Sequence, residues 1–165
     1  MNKIKSAVKN LLVFSLLVTA LSFAVDYWRR PNAPENALQQ TLLALNGESV
    51  QLAKLSKEKP VLLYFWGSWC SICSLTSPSI ASLANDGVQC LVSVALKSGN
   101  DQAVQDYLQQ HQYDFLTVND PQGTLSAQWH IQVTPSIIII KNGKIVHTTT
   151  GLSSPWGLKL RLWLS

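Results

Sequence analysis

Two cysteines three positions apart, Cys70 and Cys73, are the residues of this chain best suited to chemistry. Their spacing lets a dithiol close to a disulfide and open again. The run before them, Val61-Leu-Leu-Tyr-Phe-Trp66, has the apolar continuity of a strand buried on both faces, and it breaks at Gly67. A helix beginning near Cys70 would set that sulfur against unpaired N–H groups and the positive end of the helix dipole, which favour thiolate over thiol. Free cysteine titrates near ~8.5, and such settings lower it to roughly 3.5–7.5. Cys73 then lies one turn further on the same face, where its sulfur can attack a mixed disulfide at Cys70. The chemistry expected is thiol–disulfide exchange. Its electrons reside on sulfur, so no cofactor is called for.

A second constellation supports the first. Val133-Thr134-Pro135 stands directly before four consecutive isoleucines. A proline at the start of a strand cannot donate to the ladder, and the bond after Thr134 can be cis. With the cysteine pair upstream and a hairpin downstream, a cis bond is expected. It would turn backbone at Thr134 and Pro135 toward the cysteines, free to pair with an extended substrate as an added strand would. Trp69, past the strand and beside Cys70, is the indole expected to face substrate. Trp66 is as readily a packing residue. One Cys-x-x-Cys lacks the second ligand pair of a structural zinc site, and no metal ligand is assigned. Two soft thiolates can hold Cu(I), so a Cu(I)-handling module is the alternative. Cys90 is expected to be inert core, and His111, His130 and His147 are scattered.

These residues need a scaffold, and the patterning supplies one. Thr41–Leu45, Asn46-Gly47 and Val50–Leu52 predict an N-terminal β-hairpin. Lys54–Lys59 is expected to be a polar connection ending at Pro60. The helix from Cys70 contains Pro78 and should kink there. Val88–Leu96 is a second interior strand. Asn100-Asp101 caps a helix through His111, with Ala103, Val104, Tyr107 and Leu108 on one side. A short strand Phe115–Val118 and a short helix Leu125–Trp129 follow. Pro135–Ile140, the turn Asn142-Gly143 and Lys144–Thr150 make an antiparallel hairpin. Trp156–Leu164 closes the chain as an amphipathic helix whose buried face holds Trp156 and Trp163. Helices alternating with buried strands give an α/β fold, a mixed central sheet flanked by helices.

The net charge of +4 does not mark a nucleic-acid binder. Lys3, Lys5, Lys9, Arg29 and Arg30, against Asp26, place it all in the first thirty residues, and the remainder is balanced. No basic stripe remains to cradle phosphates. Those charges bracket Leu11–Val25, an uncharged apolar stretch. Extended by its neighbours it reaches about 28 Å as a helix, close to the ~30 Å hydrocarbon core. Tyr27 and Trp28 fall where an interfacial belt belongs. Residues 1–30 are therefore expected to be a transmembrane anchor, with a cleaved signal peptide ending near Ser22-Phe-Ala24 as the alternative. Residues 31–37, with Pro31 and Pro34, form a linker, and 38–165 the redox domain.

The chain resembles the thioredoxin superfamily in Phe65-Trp66-x-x-Trp69-Cys70-x-x-Cys73, in Thr134-Pro135 and in the terminal hairpin and helix. Within it the chain is similar to the membrane-anchored TlpA/ResA-like group, whose marks are the early hairpin and an inserted helix and strand. Asp26-Tyr-Trp-Arg29, Val118-Asn-Asp120, Leu125-Ser-Ala127 and Trp156-Gly-x-Lys159-Leu-Arg-Leu-Trp163 look like the D component of the bacterial copper-sensitivity suppressor system (ScsD-like). The resemblance implies a thioredoxin-like fold in which Cys70 attacks, Cys73 resolves and Pro135 is cis beside them. It implies protein thiols and disulfides as substrates and a transmembrane thiol reductase of the DsbD/ScsB kind as partner. It also implies a single-pass bacterial inner-membrane protein with its catalytic domain in the periplasm. Tyr64 stands where thioredoxins carry a buried aspartate, and Thr76 where many ResA-type reductases carry a glutamate. Neither carboxylate is present to take a proton from Cys73, so a strongly reducing potential does not carry over.

Overall fold

The computed structural model describes residues 36–85 and 90–163, with residues 9–14, 16, 17 and 21 of the N-terminal region. The chain divides into two compact units, Met1–Arg30 and Pro31–Ser165. In the second unit β1 (Thr41–Leu43) and β2 (Ser49–Gln51) form the expected antiparallel hairpin, with Thr41 opposite Gln51. Gly47 takes φ +83° in its turn, a value a side chain would resist. The next segment corrects the sequence reading. Residues Leu52–Glu58 are helix α1, not a polar connection. Leu52 and Ser56, one turn apart, are both buried, so a short amphipathic pattern was hidden among lysines. The Ser56 hydroxyl accepts the Gly143 N–H at 2.9 Å and its carbonyl accepts the Asn142 N–H at 2.8 Å, fastening α1 to a distant turn.

Five strands make the main sheet: β3 (Val61–Trp66), β4 (Cys90–Leu96), β5 (Leu116–Asp120), β6 (Ser136–Lys141) and β7 (Lys144–Thr150). Their order is β5-β4-β3-β6-β7. The β3–β4 and β4–β5 pairs are parallel, whereas β3–β6 and β6–β7 are antiparallel, giving the mixed sheet expected. Helices α2 (Ser71–Asn85), α3 (Asp101–Gln110), α4 (Thr124–Gln128) and α5 (Pro155–Trp163) complete the domain. The inserted helix and strand are α3 and β5, and β5 forms one edge.

Alternation along the central strands builds two cores. Leu62, Tyr64 and Trp66 of β3 join Ile137 and Ile139 of β6 in one cluster, with Ile80, Leu83, Val104, Leu108, Leu158 and Leu162 from the helices. Val61, Leu63 and Phe65 join Ile138 and Ile140 on the other side, with Leu52, Val50 and Trp129. Each such large side chain contributes about 1.5–3 kcal/mol by leaving water. Central position in this sandwich fixes where β3 ends, and thereby where the cysteines begin. In α3, Asn100 accepts the Ala103 N–H at 2.9 Å as the N-cap, while Val104 and Leu108 are buried and Ala103 is exposed.

Two further expectations are overturned. Trp156 and Trp163 are each 81% exposed, and the buried face of α5 is Leu158 and Leu162. The helix carries apolar residues on two stripes, and the leucine stripe is the one that packs. Among the described residues no helix is long and apolar enough to cross a membrane, which corrects the single-pass inner-membrane placement. The rest of Leu11–Val25, Tyr27, Trp28 and most of the linker lie outside the described residues.

Candidate active site

The cysteine pair sits where β3 hands over to α2. Cys70 immediately precedes the first helical residue, Ser71, and its carbonyl accepts the Ser74 N–H at 3.2 Å. That places Cys70 at the N-cap, and its sulfur occupies the side-chain acceptor position. The Cys73 N–H donates to Cys70 Sγ at 3.1 Å, as a backbone donor does to a capping oxygen. The first turn holds no acidic residue to oppose a negative sulfur. Cys70 and Cys73 form a disulfide, with Cα atoms 5.2 Å apart. The two sulfurs are unequally reachable: Cys70 is 8% exposed and Cys73 only 1%.

The Thr134–Pro135 bond is cis, and the Thr134 carbonyl oxygen lies 3.6 Å from Cys70 Sγ. The Ser136 hydroxyl donates to the Val133 carbonyl at 2.7 Å, tying down this turn from the strand side. Trp69 is 59% exposed yet anchored, its indole N–H donating to the Leu96 carbonyl at 3.0 Å. Trp66 is packing: it is 1% exposed, and its N–H donates to Ser93 Oγ at 3.2 Å. Ser93 in turn pairs with the Thr117 hydroxyl at 2.8 Å, so the polar atoms beneath the strand end are satisfied.

Residues not assigned from the sequence also shape the site. A Cβ on Gly67 would fall 2.6 Å from Trp69 Cε2 and 2.7 Å from Nε1, so glycine is what lets the indole lie against the backbone. The Ser98 hydroxyl donates to Leu96 and accepts the Ser68 N–H at 3.0 Å, clasping the same loop. A glycine followed two positions later by tryptophan was visible, but the contact was not. Below the cysteines, Tyr64 is fully buried and its hydroxyl pairs with Ser77 at 3.0 Å. Burial pushes the Tyr64 phenol well above its ordinary range, outweighing the Ser77 hydrogen bond that opposes it. Thr76 is buried and donates to the Ile72 carbonyl at 2.9 Å. Tyr64 and Thr76 thus both present neutral hydroxyls here.

A strand-to-helix junction carrying a disulfide beside a cis-proline turn calls for comparison with known proteins. Residues 30–155 match the Redoxin family model. The chain belongs to the Redoxin family. This redoxin is 48% identical over 163 residues to a thioredoxin-like protein of Haemophilus influenzae, covering 99% of the chain and 97% of that relative. It is 30% identical to sporulation thiol-disulfide oxidoreductase A of Bacillus subtilis, covering 74% of the chain and 75% of the relative. A secreted Mycobacterium tuberculosis disulfide oxidoreductase superposes with a TM-score of 0.66 at 24% identity, over 80% of this chain and 100% of that one. The fold is thioredoxin-like. The redoxin is a thiol–disulfide oxidoreductase with a disulfide-forming Cys70–Cys73 pair.

Among the described residues no group of three or more His, Cys, Asp or Glu is placed to hold a metal ion. Cys90 lies at the start of β4, half-buried rather than fully buried core, and burial raises its thiol pKa.

Proposed function

We propose that Cys70 is the exchanging sulfur and Cys73 the resolving one, in a domain comprising residues 38–165. The observation that carries this is the unequal pair itself, with the Cys70 sulfur at the helix start receiving a backbone N–H and the Cys73 sulfur sealed behind it. In the oxidised protein a substrate thiolate attacks Cys70 Sγ, a mixed disulfide forms, and Cys73 leaves with the electron pair and takes up a proton. A second substrate thiolate then displaces Cys70, so two electrons pass from substrate to enzyme. The reverse sequence starts with Cys70 thiolate attacking a substrate disulfide. Resolution follows when Cys73 closes the ring.

Thr134 and Pro135 present backbone to an extended partner, and Trp69 supplies an apolar face beside it. Substrates are protein thiols and disulfides. The secreted character of the M. tuberculosis homologue supports work in an exported, oxidising compartment. The ScsD-like motifs support a DsbD/ScsB-like thiol reductase as the protein that resets the pair. Replacing Cys73 with Ala should trap substrates on Cys70 as disulfide adducts, seen on non-reducing gels and lost on adding dithiothreitol. Absence of Cys70-linked adducts would refute the assignment. Stoichiometric Cu(I) retention without disulfide turnover would instead favour the metal-handling alternative.

A further inference from the structure

Helix α5 leaves one stripe unpartnered by the fold. Trp156, Leu160 and Trp163, at i, i+4 and i+7, are 81%, 56% and 81% exposed, and Leu152 just before the helix is 70% exposed. Leu158 and Leu162 already anchor the opposite stripe in the core, so the exposed side chains are not needed to hold the helix down. Three large apolar groups on one short ridge exceed the scatter of single exposed residues.

Charge indicates what covers the ridge. Beyond Asp120 the chain contains no Asp or Glu, yet Lys141, Lys144, Lys159 and Arg161 follow. Lys159 flanks the ridge, its Nζ 5.9 Å from the Trp156 ring centroid, whereas half-buried Arg161 lies nearer the packed leucine side of the helix. Helix α2, against which α5 packs, carries no charged residue at all. A second copy would bring the same cations face to face. An anionic surface would not. Indoles at both ends of an apolar stripe, with a long cation beside it, match the boundary between headgroups and acyl chains. From Trp156 to Trp163 the stripe rises only about 10 Å, a length that lies flat and cannot span.

We propose that the Trp156–Leu160–Trp163 ridge of α5 is a docking surface for an anionic lipid surface, with Lys159 meeting the headgroups. This attachment is peripheral and needs no membrane-spanning helix. It does not depend on the exchange chemistry.

The test uses the full oxidised chain with vesicles of phosphatidylcholine alone or mixed equally with phosphatidylglycerol, their acyl chains brominated to quench nearby indoles. The difference in quenching between the wild-type chain and W156F/W163F isolates these two indoles from any other segment that binds. Expected is a quenched component that appears with the anionic vesicles only, together with slowed hydrogen exchange across Pro155–Trp163. K159Q should weaken that component about fivefold, the worth of one cation at such a surface. W156S/W163S should abolish the vesicle-dependent slowing of hydrogen exchange across Pro155–Trp163 while leaving disulfide turnover in solution unchanged. Equal quenching in the wild-type chain and W156F/W163F would overturn the proposal, as would equal effects of neutral and anionic vesicles. Protection of α5 that arises without lipid and rises with protein concentration would assign the ridge to a second copy instead. Protection conferred by an acidic protein and not by vesicles would likewise overturn it.

Discussion

Gly67 offers a direct test of how the exchange site is held. In Gly67→Ala the new methyl would meet Trp69 Cε2 at 2.6 Å and Nε1 at 2.7 Å, too close to coexist with the indole. Because Trp69 is 59% exposed, solvent leaves it room to swing away, so the strain is released at the cost of its hydrogen bond to Leu96. That bond is worth about 0.5–1.5 kcal/mol, and lost contacts bring the expected destabilisation to ~1–2 kcal/mol by urea unfolding. The functional effect should be larger than the stability effect. Mixed-disulfide formation with a protein substrate should slow toward the rate of Trp69→Ala, whereas reaction with a small aromatic disulfide should change little. The decisive measurement is a double-mutant cycle. In a Trp69→Ala background, Gly67→Ala should cost less than about 0.5 kcal/mol, because the clash no longer exists. Full additivity of the two substitutions, or a Trp69 indole N–H still protected in Gly67→Ala, would refute the reasoning.

Other outcomes follow from the same geometry. Tyr64→Phe takes the hydroxyl partner from buried Ser77 and should cost about 1–3 kcal/mol. The Tyr64 phenol is raised by burial, so the folded state holds its proton more tightly than the unfolded state. The associated stability is complete below ~10 and drains as pH rises beyond it. Urea midpoints from neutral to strongly alkaline pH should fall more steeply in the wild-type chain than in Tyr64→Phe. In the reduced protein Cys90, its thiol pKa raised mainly by burial and secondarily by Glu48, should alkylate far more slowly than Cys70 at neutral pH, as mass spectrometry of the labelled chain would report. Leu158→Ala should destabilise by ~2–5 kcal/mol, and Trp156→Ala by less than ~0.5 kcal/mol, in the same unfolding assay.

Local signals that agree with global burial were readable from the sequence. Val61–Trp66 is a strand over the residues expected because a run of six apolar side chains, too short for a helix and ended by Gly67, suits a strand covered on both faces. The Asn142-Gly143 turn and the Asn100 cap were written in their own residue types. Cys70, Cys73 and the cis Thr134–Pro135 bond were legible because their chemistry needs those residues in that order. What was not legible depends on tertiary partners. Helix α1 looked polar because its buried positions are one leucine and one serine, and that serine is buried by bonds to a turn far along the chain. The two tryptophans of α5 are as apolar as its leucines, so composition alone could not say which stripe the sheet would claim. Tyr64 was seen as a departure from relatives, but its pairing with Ser77 appears only when β3 and α2 are brought together.

The carbonyl of Leu96 receives both the Trp69 indole and the Ser98 hydroxyl, and Ser98 in turn holds the Ser68 amide. None of these three bonds involves a sulfur atom. The approach to the cysteines is thus moored to the neighbouring strand by bonds that do not pass through the disulfide. Opening the ring therefore breaks none of the fastenings that hold this doorway to its wall.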